Sequence, residues 1–327
     1  MQALLPPDSR QVIGPGDDAA VIEAPDGRVV ATTDLLVEGR HFRRDWSGPF
    51  DVGCKAAAQN LADIAAMGAA PTALLVGFAT PGDLAVAWAA DLTRGLAAEC
   101  ARAGASVAGG DVTRADVIML AITALGDLAG RDPVTRGGAR PGDRLAVAGV
   151  LGRSGAGLAL AGAGLAGGPS GPAGEAGKAG EAGPAEAAEL AELVAGHRRP
   201  APPYGAGPLA AGAGASSMID ISDGLVQDLG HVAQASGVQI DVRTEWLAGS
   251  PAVPGAALRT AARLLGRPDW LAWALSGGED HALAATFPPG AALPADWSVI
   301  GVVRAGSGVL VDGVSRSDLG GWDHFRN

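Results

Sequence analysis

The sequence predicts a mixed α/β fold in two domains, and three observations support this prediction. Strand-like and helix-like segments alternate along the first part of the chain, a pattern typical of mixed α/β proteins. At 327 residues the chain is too long for one average domain and can give each of two domains its own core. The turn-rich segment RGGARPGD at residues 136–143 predicts a hinge, which divides the chain into domains at residues 1–141 and 142–327. Because hydrophobic residues make up 48% of the chain and aromatic residues only 4%, both cores should be built from small side chains.

The elements predicted for the first domain follow from the spacing of apolar and polar residues. In the helix predicted at residues 51–67, Lys55, Gln59 and Asp63 share one polar stripe, and Leu61 lies on the other side. Asp63 is therefore expected to face away from the core, towards water or a site. The predicted elements are a strand at 28–34 that ends in Asp34, the helix at 51–67, a buried strand at 72–78, a helix at 84–102, a short strand entering a Gly-Gly-Asp turn at 105–111, and a strand at 117–127.

The second domain is predicted to begin a further α/β unit at Arg144. Between about residues 161 and 184 the sequence consists mainly of Gly, Ala, Pro and a few Glu. Such a composition cannot bury enough side chain to offset chain entropy, which predicts a flexible surface insertion. A short strand should then meet a helix at residues 218–225, where Ser222 or Asp223 is placed to cap the first turn. The remaining predicted elements are a strand at 237–242 and a glycine turn that enters a strand at 276–287.

Composition limits the ligands that the protein can bind and indicates the cellular compartment in which it is found. The chain has 35 acidic and 24 basic residues, and its formal net charge of -11 at pH 7 repels nucleic acids and anionic lipids. Cys54 and Cys100 form neither a CxxC pair nor a metal-type cluster, as is typical of a reducing compartment. The N-terminal residues contain no apolar signal core, and the most apolar run, at 65–80, is too short and interrupted to span a membrane. The sequence therefore predicts a soluble cytoplasmic protein that binds neither nucleic acids nor membranes.

Carboxylates recur at the predicted ends of strands, beside small residues that let a ligand approach the backbone. Acids crowded in this way, including the adjacent Asp17 and Asp18, repel one another unless cations lie among them. Because Mg²⁺ prefers oxygen ligands, these segments and Asp63 on its helix predict a magnesium site. The carboxylate-bearing segments are GDD at residues 16–18, TTD at 32–34, GGD at 109–111, ISD at 221–223 and GGED at 277–280.

Magnesium beside glycine-rich turns indicates a polyphosphate ligand, because Mg²⁺ usually bridges protein carboxylates and substrate phosphates. The sequence contains no GxxxxGK[ST] loop and no HRD or DFG motif of the protein-kinase type. We therefore expect a nucleotide to be held by several Mg²⁺ ions, by backbone amides around Gly109 and Gly110, and by arginines such as Arg136.

Six motifs stand in order along the chain: GPGDDAAV, TTDLLVEGRHF, NLADIAAMGAAP, AGGDVTR, DISDGLVQDL and SGGED. Together they resemble the thiamine-monophosphate kinase family, of the superfamily that includes aminoimidazole ribonucleotide synthetase and selenophosphate synthetase. The resemblance runs from about Gly14 to Phe325 and omits the Gly/Ala-rich insertion. Two positions depart from the family pattern. His281 follows GGED where the family commonly has tyrosine, and Pro203 stands where it has arginine.

The resemblance implies a fold, a reaction and an assembly. The fold would be two mixed α/β domains, and ATP would phosphorylate thiamine monophosphate to thiamine diphosphate. The partners would be the two substrates and a second copy, in a homodimer whose N-terminal sheets pack together. By position, the implied metal ligands are Asp18, Thr32, Thr33, Asp34, Asp63, Asp111, Asp220 and Asp223; the implied ATP contacts are Gly110, Asp111, Arg136 and Ser222; and the implied thiamine-phosphate contacts are His41, Glu279 and Trp322.

The implied reaction needs no catalytic histidine or cysteine. A phosphate monoester has its second pKa near ~6, so at neutral pH the acceptor oxygen is largely ionised without a general base. The main barrier is the repulsion between two polyanions, which several Mg²⁺ ions can offset. We therefore predict direct in-line transfer with no phosphorylated enzyme intermediate.

The sequence alone leaves other interpretations open. The chain could be another ATP-using synthetase of the same superfamily, although residues 1–13 contain neither the reactive Cys nor the Lys expected of a selenophosphate enzyme. It could also be a non-catalytic protein whose acidic turns bind divalent metal only to stabilise the fold. The simpler roles of single residues are Asp280 as the functional acid in place of Glu279, Asp223 as a helix cap, Lys55 as a solvated residue, Arg136 as a hinge residue and Trp322 as a hydrophobic anchor.

Overall fold

A computed structural model describes residues 11–13, 21–165 and 183–316 of the chain. Two residues predicted for the site, Asp18 and Trp322, lie outside the described residues. In the described part, the strands form three sheets and long helices pack against the two larger ones. The predicted mixed α/β fold is confirmed.

Strands and helices alternate along the first part of the chain, as predicted. The elements before residue 130 are β1 (Gln11–Ile13), β2 (Val21–Ile22), β3 (Val30–Val37), α1 (Pro49–Ala66), β4 (Ala70–Thr80), α2 (Val86–Ala103), β5 (Ser106–Arg114) and β6 (Met119–Asp127). The later elements are β7 (Arg144–Ala148), α3 (Arg153–Gly162), α4 (Pro184–Arg198), α5 (Ala206–Gly212), β8 (Ser217–Ile221), α6 (Leu225–Ser236), β9 (Gln239–Val242), α7 (Thr244–Gly249), α8 (Gly255–Leu264), α9 (Ala272–Ser276), β10 (Ala282–Phe287), β11 (Ser298–Arg304), β12 (Gly308–Val311) and β13 (Val314–Ser315).

The four-stranded sheet of the N-terminal part has the strand order β3-β6-β4-β5. Its β4–β5 pair is parallel, and its other pairs are antiparallel. Helix α1 packs against one face of this sheet, which we call the inner face. The opposite face, which we call the outer face, carries Thr33, Leu35 and Leu75, and these two leucines are 52% and 39% exposed. The sheet therefore has one buried face and one face open to a partner.

Two segments that the sequence predicted as strand ends lie inside strands. Asp34 is in the middle of β3, and Asp111 is in the middle of β5. The Gly-Gly-Asp segment is therefore not a turn. A Cβ on Gly110 would lie 2.0 Å from the carbonyl oxygen of Val76, so glycine at this position lets β5 approach β4 closely.

The predicted Gly/Ala-rich insertion begins later than expected. Helix α3 extends to Gly162, and Leu165 beyond it is buried in the core, so the chain is still packed where the insertion was predicted to start. Helix α4 begins at Pro184. Residues 166–182, the larger part of the predicted insertion, lie outside the described residues.

The seven-stranded sheet of the C-terminal part has the order β13-β12-β9-β11-β7-β10-β8. Only its β12–β9 pair is parallel. Successive residues of β10 face different cores: Ala284 packs with the C-terminal helices, whereas Leu283 and Phe287 pack with residues of the N-terminal part. Helix α1 therefore lies between the two sheets, where its side chains can meet those of both.

The core around α1 is built from small side chains, as composition predicted. Ala56, Ala57 and Ala58 are completely buried in successive positions of the helix, together with Leu61 and Ile64. Small residues let both sheets approach one helix closely, and this close packing is what brings loops of the two sheets near each other. In residues 21–165 and 183–316, the structure contains no helix with the length and apolar character needed to cross a membrane.

Helices α1 and α2 cross in close contact at two glycines. A Cβ on Gly95 would lie 2.1 Å from the carbonyl oxygen of Phe50, and one on Gly53 would lie 2.1 Å from that of Leu92. Replacing Gly95 with alanine is therefore expected to lower the free energy of unfolding by about 1–3 kcal/mol, measured by chemical denaturation. Gly230→Ala in α6 is the matched control, because a Cβ added there meets nothing within 4 Å and alanine should stabilise the helix by about 0.5–1 kcal/mol. Equal effects of the two substitutions would contradict the close crossing.

Candidate active site between the two sheets

Three of the predicted metal ligands, Asp34, Asp63 and Asp220, come together between the two sheets, and we call them the acidic cluster. Asp34 lies on the inner face of β3, Asp63 on α1, and Asp220 near the end of β8. Thr32, another predicted ligand, donates a hydrogen bond from Oγ1 to Oδ2 of Asp63 (2.9 Å). The side-chain oxygen of Asn60 accepts the backbone N–H of Asp34 (3.0 Å), so α1 holds both acids of the N-terminal part in place.

The charges within the acidic cluster disfavour ionisation of Asp63 and Asp34. Burial, and then the charges of Asp220 and Asp34, raise the pKa of Asp63 to about 7. Burial also raises the pKa of Asp34, where the charge of His281 opposes the rise and that of Asp220 adds to it. Carboxylates held together in a partly buried place are costly when ionised, and a bound cation would remove that cost.

The donor chemistry of the acidic cluster fits a hard divalent cation, because its carboxylates and the nearby threonine hydroxyl are oxygen ligands. Within residues 21–165 and 183–316, however, no group of three or more His, Cys, Asp or Glu side chains could hold a metal ion as it is arranged. Asp34 and Asp220 are thus close enough to Asp63 to raise its pKa, but the three acids do not by themselves enclose an ion. A complete site would need a further ligand, and the predicted ligand Asp18 lies outside the described residues.

Thr33 and Asp111, also predicted as metal ligands, lie on the outer face and not in the acidic cluster. Thr33 alternates along β3 with the inward-facing Thr32. Asp111 is in register with Gly77, whose Cβ would contact Ala121 on the outer face. Gly110, the predicted ATP contact, precedes Asp111 in the same exposed edge strand. The described chain therefore does not bring these β5 residues to the cluster.

The ISD segment forms the turn between β8 and α6, but it does not cap the helix as predicted. The residue before α6 is Gly224, with φ of 130°, and no side chain caps the helix there. Instead Asp228, one turn into α6, accepts the backbone N–H groups of Asp223 and Gly224 at Oδ2, both at 3.0 Å. Asp228 therefore fixes the turn that carries Ser222 and Asp223. Asp228 was not among the predicted site residues, although it is the last acid of the motif DISDGLVQDL.

The GGED segment forms a turn that is joined to the ISD turn through the backbone. The N–H of Glu279 donates to the carbonyl of Ser222 (2.7 Å), and the N–H of His281 donates to that of Ile221 (2.9 Å). Glu279 and His281 have φ of 64° and 52°, in the left-handed region that costs a non-glycine residue about 1–2 kcal/mol. Surrounding contacts must therefore hold this turn in its strained form.

Asp280, the alternative to Glu279 that the sequence left open, is engaged in hydrogen bonds within the protein. The Asp280 side chain accepts the backbone N–H groups of Gly152 (2.6 Å) and Ser154 (2.7 Å) at the start of α3. Burial raises the pKa of Asp280 to about 7, and these two N–H groups oppose the rise. Both oxygens of Asp280 are thus occupied inside the protein, whereas the side chain of Glu279 remains 31% exposed.

His281, where the family commonly has tyrosine, is buried against the acidic cluster. Its Nδ1 lies 3.2 Å from Oδ2 of Asp220. Burial alone would lower the pKa of His281, but the hydrogen bond and charge of Asp220, with the charges of Asp63 and Glu279, raise it above the ordinary value. The departure from the family pattern therefore adds a basic group beside the acids.

Lys55 and His197 are two residues near Glu279 whose positions sequence reasoning did not anticipate. Lys55 was expected on a polar, solvated stripe, but its side chain is only 2% exposed and its Nζ lies 3.0 Å from Oε1 of Glu279. Nδ1 of His197 lies 3.6 Å from Oε2 of the same carboxylate. No local sequence signal could have found this pairing, because the three residues belong to distant parts of the chain.

His41 and Arg136, two further predicted contacts, lie in separate connections of the chain. His41 is in the turn after β3, where its Nδ1 accepts the N–H of Val37 (3.0 Å), and its charge favours ionisation of Asp34. Arg136 is exposed in the connection between β6 and β7, and its carbonyl accepts the hydroxyl of Ser236 (3.0 Å). The hinge predicted at this connection thus corresponds to a turn-rich stretch that leads from one sheet to the other.

The chain is similar in sequence and in structure to known proteins. A family model described as AIR synthase related protein, N-terminal domain, matches residues 16–128. The protein named thiamine-monophosphate kinase of Mycobacterium tuberculosis is 47% identical over 315 residues, which cover 96% of this chain and 86% of that protein. The crystal structure of thiamine monophosphate kinase from Aquifex aeolicus has a TM-score of 0.75 at 32% identity and covers 89% of this chain and 90% of that chain. A structure of AaThiL complexed with AMPPCP and TMP has a TM-score of 0.76 at 32% identity and covers 94% of this chain and 91% of that chain.

Proposed function

Because the chain belongs to the thiamine-monophosphate kinase family, we propose that its acidic cluster holds Mg²⁺ at the place where ATP meets thiamine monophosphate. The chain is a kinase that transfers a phosphoryl group from ATP to thiamine monophosphate, which gives thiamine diphosphate. The observation that carries the proposed site is the raised pKa of Asp63 between two other acids, on a helix that both sheets contact. Carboxylates are brought together in this way at sites where a cation neutralises them.

Some of the proposed metal ligands lie together in the acidic cluster, and the others do not. Asp34, Asp63 and Asp220 would hold the ion, and Thr32 orients Asp63 through its hydroxyl. The other proposed ligands are Asp18, Thr33, Asp111 and Asp223. When bound, Mg²⁺ supplies positive charge that offsets the repulsion between the nucleotide and the phosphate acceptor.

The two substrates are proposed to meet at the adjoining ISD and GGED turns. Ser222 would contact ATP and Glu279 would contact thiamine monophosphate, and the 2.7 Å hydrogen bond between their backbones supports this because it fixes the two sites relative to each other. The remaining proposed contacts are Gly110, Asp111 and Arg136 for ATP, and His41 and Trp322 for the acceptor. Since the acceptor phosphate is largely ionised at neutral pH, no residue of this chain needs to act as a general base.

We also propose a homodimer in which the outer faces of two four-stranded sheets pack together. The exposed Leu35 and Leu75 on this face support the proposal, because two large apolar side chains exposed on one face of a sheet are typical of an interaction surface. Packing of this kind would enclose Thr33 and Asp111 in the assembly. The proposed division into domains at residues 141 and 142 and the proposed cytoplasmic location are consistent with the separate sheets and with the free cysteines Cys54 and Cys100.

Release of ADP at fixed Mg²⁺, with and without thiamine monophosphate, tests the proposed chemistry. ADP formation is expected to require both the acceptor and the metal, to stop when EDTA removes the metal, and not to occur with thiamine, which lacks the acceptor phosphate. Protein incubated with γ-labelled ATP and Mg²⁺ alone should carry no label, because the transfer is direct. ADP formation that ignores the acceptor would contradict the kinase reaction, and labelled protein would contradict direct transfer.

A further inference from the structure

Lys55 carries a buried ammonium group that forms an ion pair with Glu279. Its side chain is 2% exposed on α1, and its Nζ lies 3.0 Å from Oε1 of Glu279, which belongs to the C-terminal part. A charge removed from water is strongly destabilising unless it is paired and hydrogen-bonded. The pair therefore links the two parts of the chain directly at the candidate active site.

The second oxygen of Glu279 faces a buried polar pair. Nδ1 of His197 lies 3.6 Å from Oε2 of Glu279 and 3.0 Å from the hydroxyl of Ser154 on α3. Burial, followed by the charge of Lys55, lowers the pKa of His197 to about 3, so the imidazole is neutral near pH 7. The positive charge that balances Glu279 is therefore that of Lys55. Burial, the largest single influence, opposes ionisation of Glu279. The charge and hydrogen bond of Lys55, together with the nearby histidines, outweigh it, and the pKa of Glu279 falls to about 2.

The backbone at Glu279 also depends on side-chain contacts. Its φ of 64° is unfavourable for a residue with a Cβ, and the residues on either side are fixed separately. Asp280 is bound to the start of α3, and a Cβ on Gly278 would lie 2.4 Å from the carbonyl oxygen of Ser222. The turn thus presents the Glu279 side chain in one direction, and Lys55 meets it there.

We propose that Lys55 is a positioning residue for the acceptor substrate, which it affects only by holding the Glu279 carboxylate from the opposite side of the active site. At 2% exposure Lys55 has no access to a ligand, whereas Glu279 at 31% exposure does. This inference rests on the proposed contact between Glu279 and thiamine monophosphate. It assigns to α1, the helix that carries Asp63, a second role in orienting the acceptor.

A double-mutant cycle on Lys55 and Glu279 tests the proposal. Lys55→Met keeps the length of the side chain but not its charge, and it should raise KM for thiamine monophosphate about 10- to 100-fold, the effect of losing a hydrogen bond to a charged group. KM for ATP should stay within about twofold, because the variant loses only the contact that holds Glu279, which is proposed to bind the acceptor and not ATP. Lys55→Arg, which keeps the charge, should recover part of the loss. The double variant with Glu279→Gln should be no worse than Glu279→Gln alone, since Lys55 acts through Glu279.

The matched control is Arg94→Met on α2, which removes an exposed ion pair with Asp91 and should change neither KM. Losses that multiply in the double variant, or an equal rise in KM for ATP, would show that Lys55 only stabilises the fold. If Lys55→Met alone does not fold, the double variant can still be used, because it lacks both charges of the pair and leaves neither unpaired. Its KM for thiamine monophosphate, compared with that of Glu279→Gln, then tests the proposal. Acceptor-dependent ADP release by the unmodified protein is measured first. If it is absent, the proposed function fails, and this result is distinct from a failure of the proposed role of Lys55.

Discussion

Replacing Asp63 with asparagine is expected to abolish kinase activity and, without divalent metal, to make the protein harder to unfold above pH 7. The activity should fall at least about 100-fold, because a proposed ligand at the reacting phosphates loses its charge. The stability should rise because Asp63 is the most strongly perturbed acid of a cluster whose charges repel one another. Denaturant unfolding in EDTA and steady-state kinetics with Mg²⁺ measure the two effects.

The pH dependence of this stabilisation follows from the direction of the pKa shift of Asp63. Its pKa of about 7 in the folded protein exceeds the ordinary value of 3.8, so the folded state binds this proton more tightly than the unfolded state. The free energy of unfolding therefore falls as the pH rises from about 4 to about 7, by on the order of 4 kcal/mol from this group. Asparagine cannot ionise, so the two proteins should be alike near pH 4 and differ fully above pH 7.

An exposed acid provides the control for Asp63. Asp83 lies in the exposed turn between β4 and α2, and Asp83→Asn should change the free energy of unfolding by less than about 0.5 kcal/mol at either pH. Equal stability of Asp63→Asn and the unmodified protein at pH 8 in EDTA would contradict the repulsion on which the metal site is argued.

The sequence predicted the acids that converge, but not the structure of the segments that carry them. Asp34 and Asp111 were both assigned to strand ends, because Thr-Asp and Gly-Gly-Asp segments are usual in turns. In the structure the glycines of β5 permit close contact with a neighbouring strand, and the strand continues past them. A glycine that allows a turn and a glycine that allows close packing look the same in one sequence, so only the register between strands distinguishes them.

Long-range pairing accounts for what the sequence could not predict about the site. The helical periodicity of residues 51–67 correctly grouped Lys55 with Asp63 on one side of α1. It could not show that a second sheet would cover that side, which buries Lys55 against Glu279 and turns a polar stripe into part of an active site. The same limit applies to Asp228, whose bonds to the ISD turn depend on how α6 leaves β8.

Replacing Leu35 with aspartate is expected to separate the proposed dimer into folded monomers and to remove most of the kinase activity. Leu35 is 52% exposed on the outer face, so a charge there costs little in the monomer. In a symmetric interface the substitution occurs twice, and burial of both charges should weaken association at least about 100-fold. Sedimentation velocity measures the assembly, and the melting temperature shows whether the monomer stays folded. Activity should fall with association, because Thr33 and Asp111 of the same face are proposed to complete the site.

Val86→Asp separates the effect of position from that of the added charge. Val86 is 85% exposed at the start of α2, away from the outer face, so aspartate there should leave both assembly and activity unchanged. A Leu35→Asp protein that stays dimeric would move the interface to another surface. One that becomes monomeric but keeps full activity would instead show that Asp34, Asp63 and Asp220 suffice without Asp111. The two measurements together therefore decide whether the outer face serves the assembly only or also the chemistry, because the acidic cluster alone does not enclose an ion in the described part of the chain.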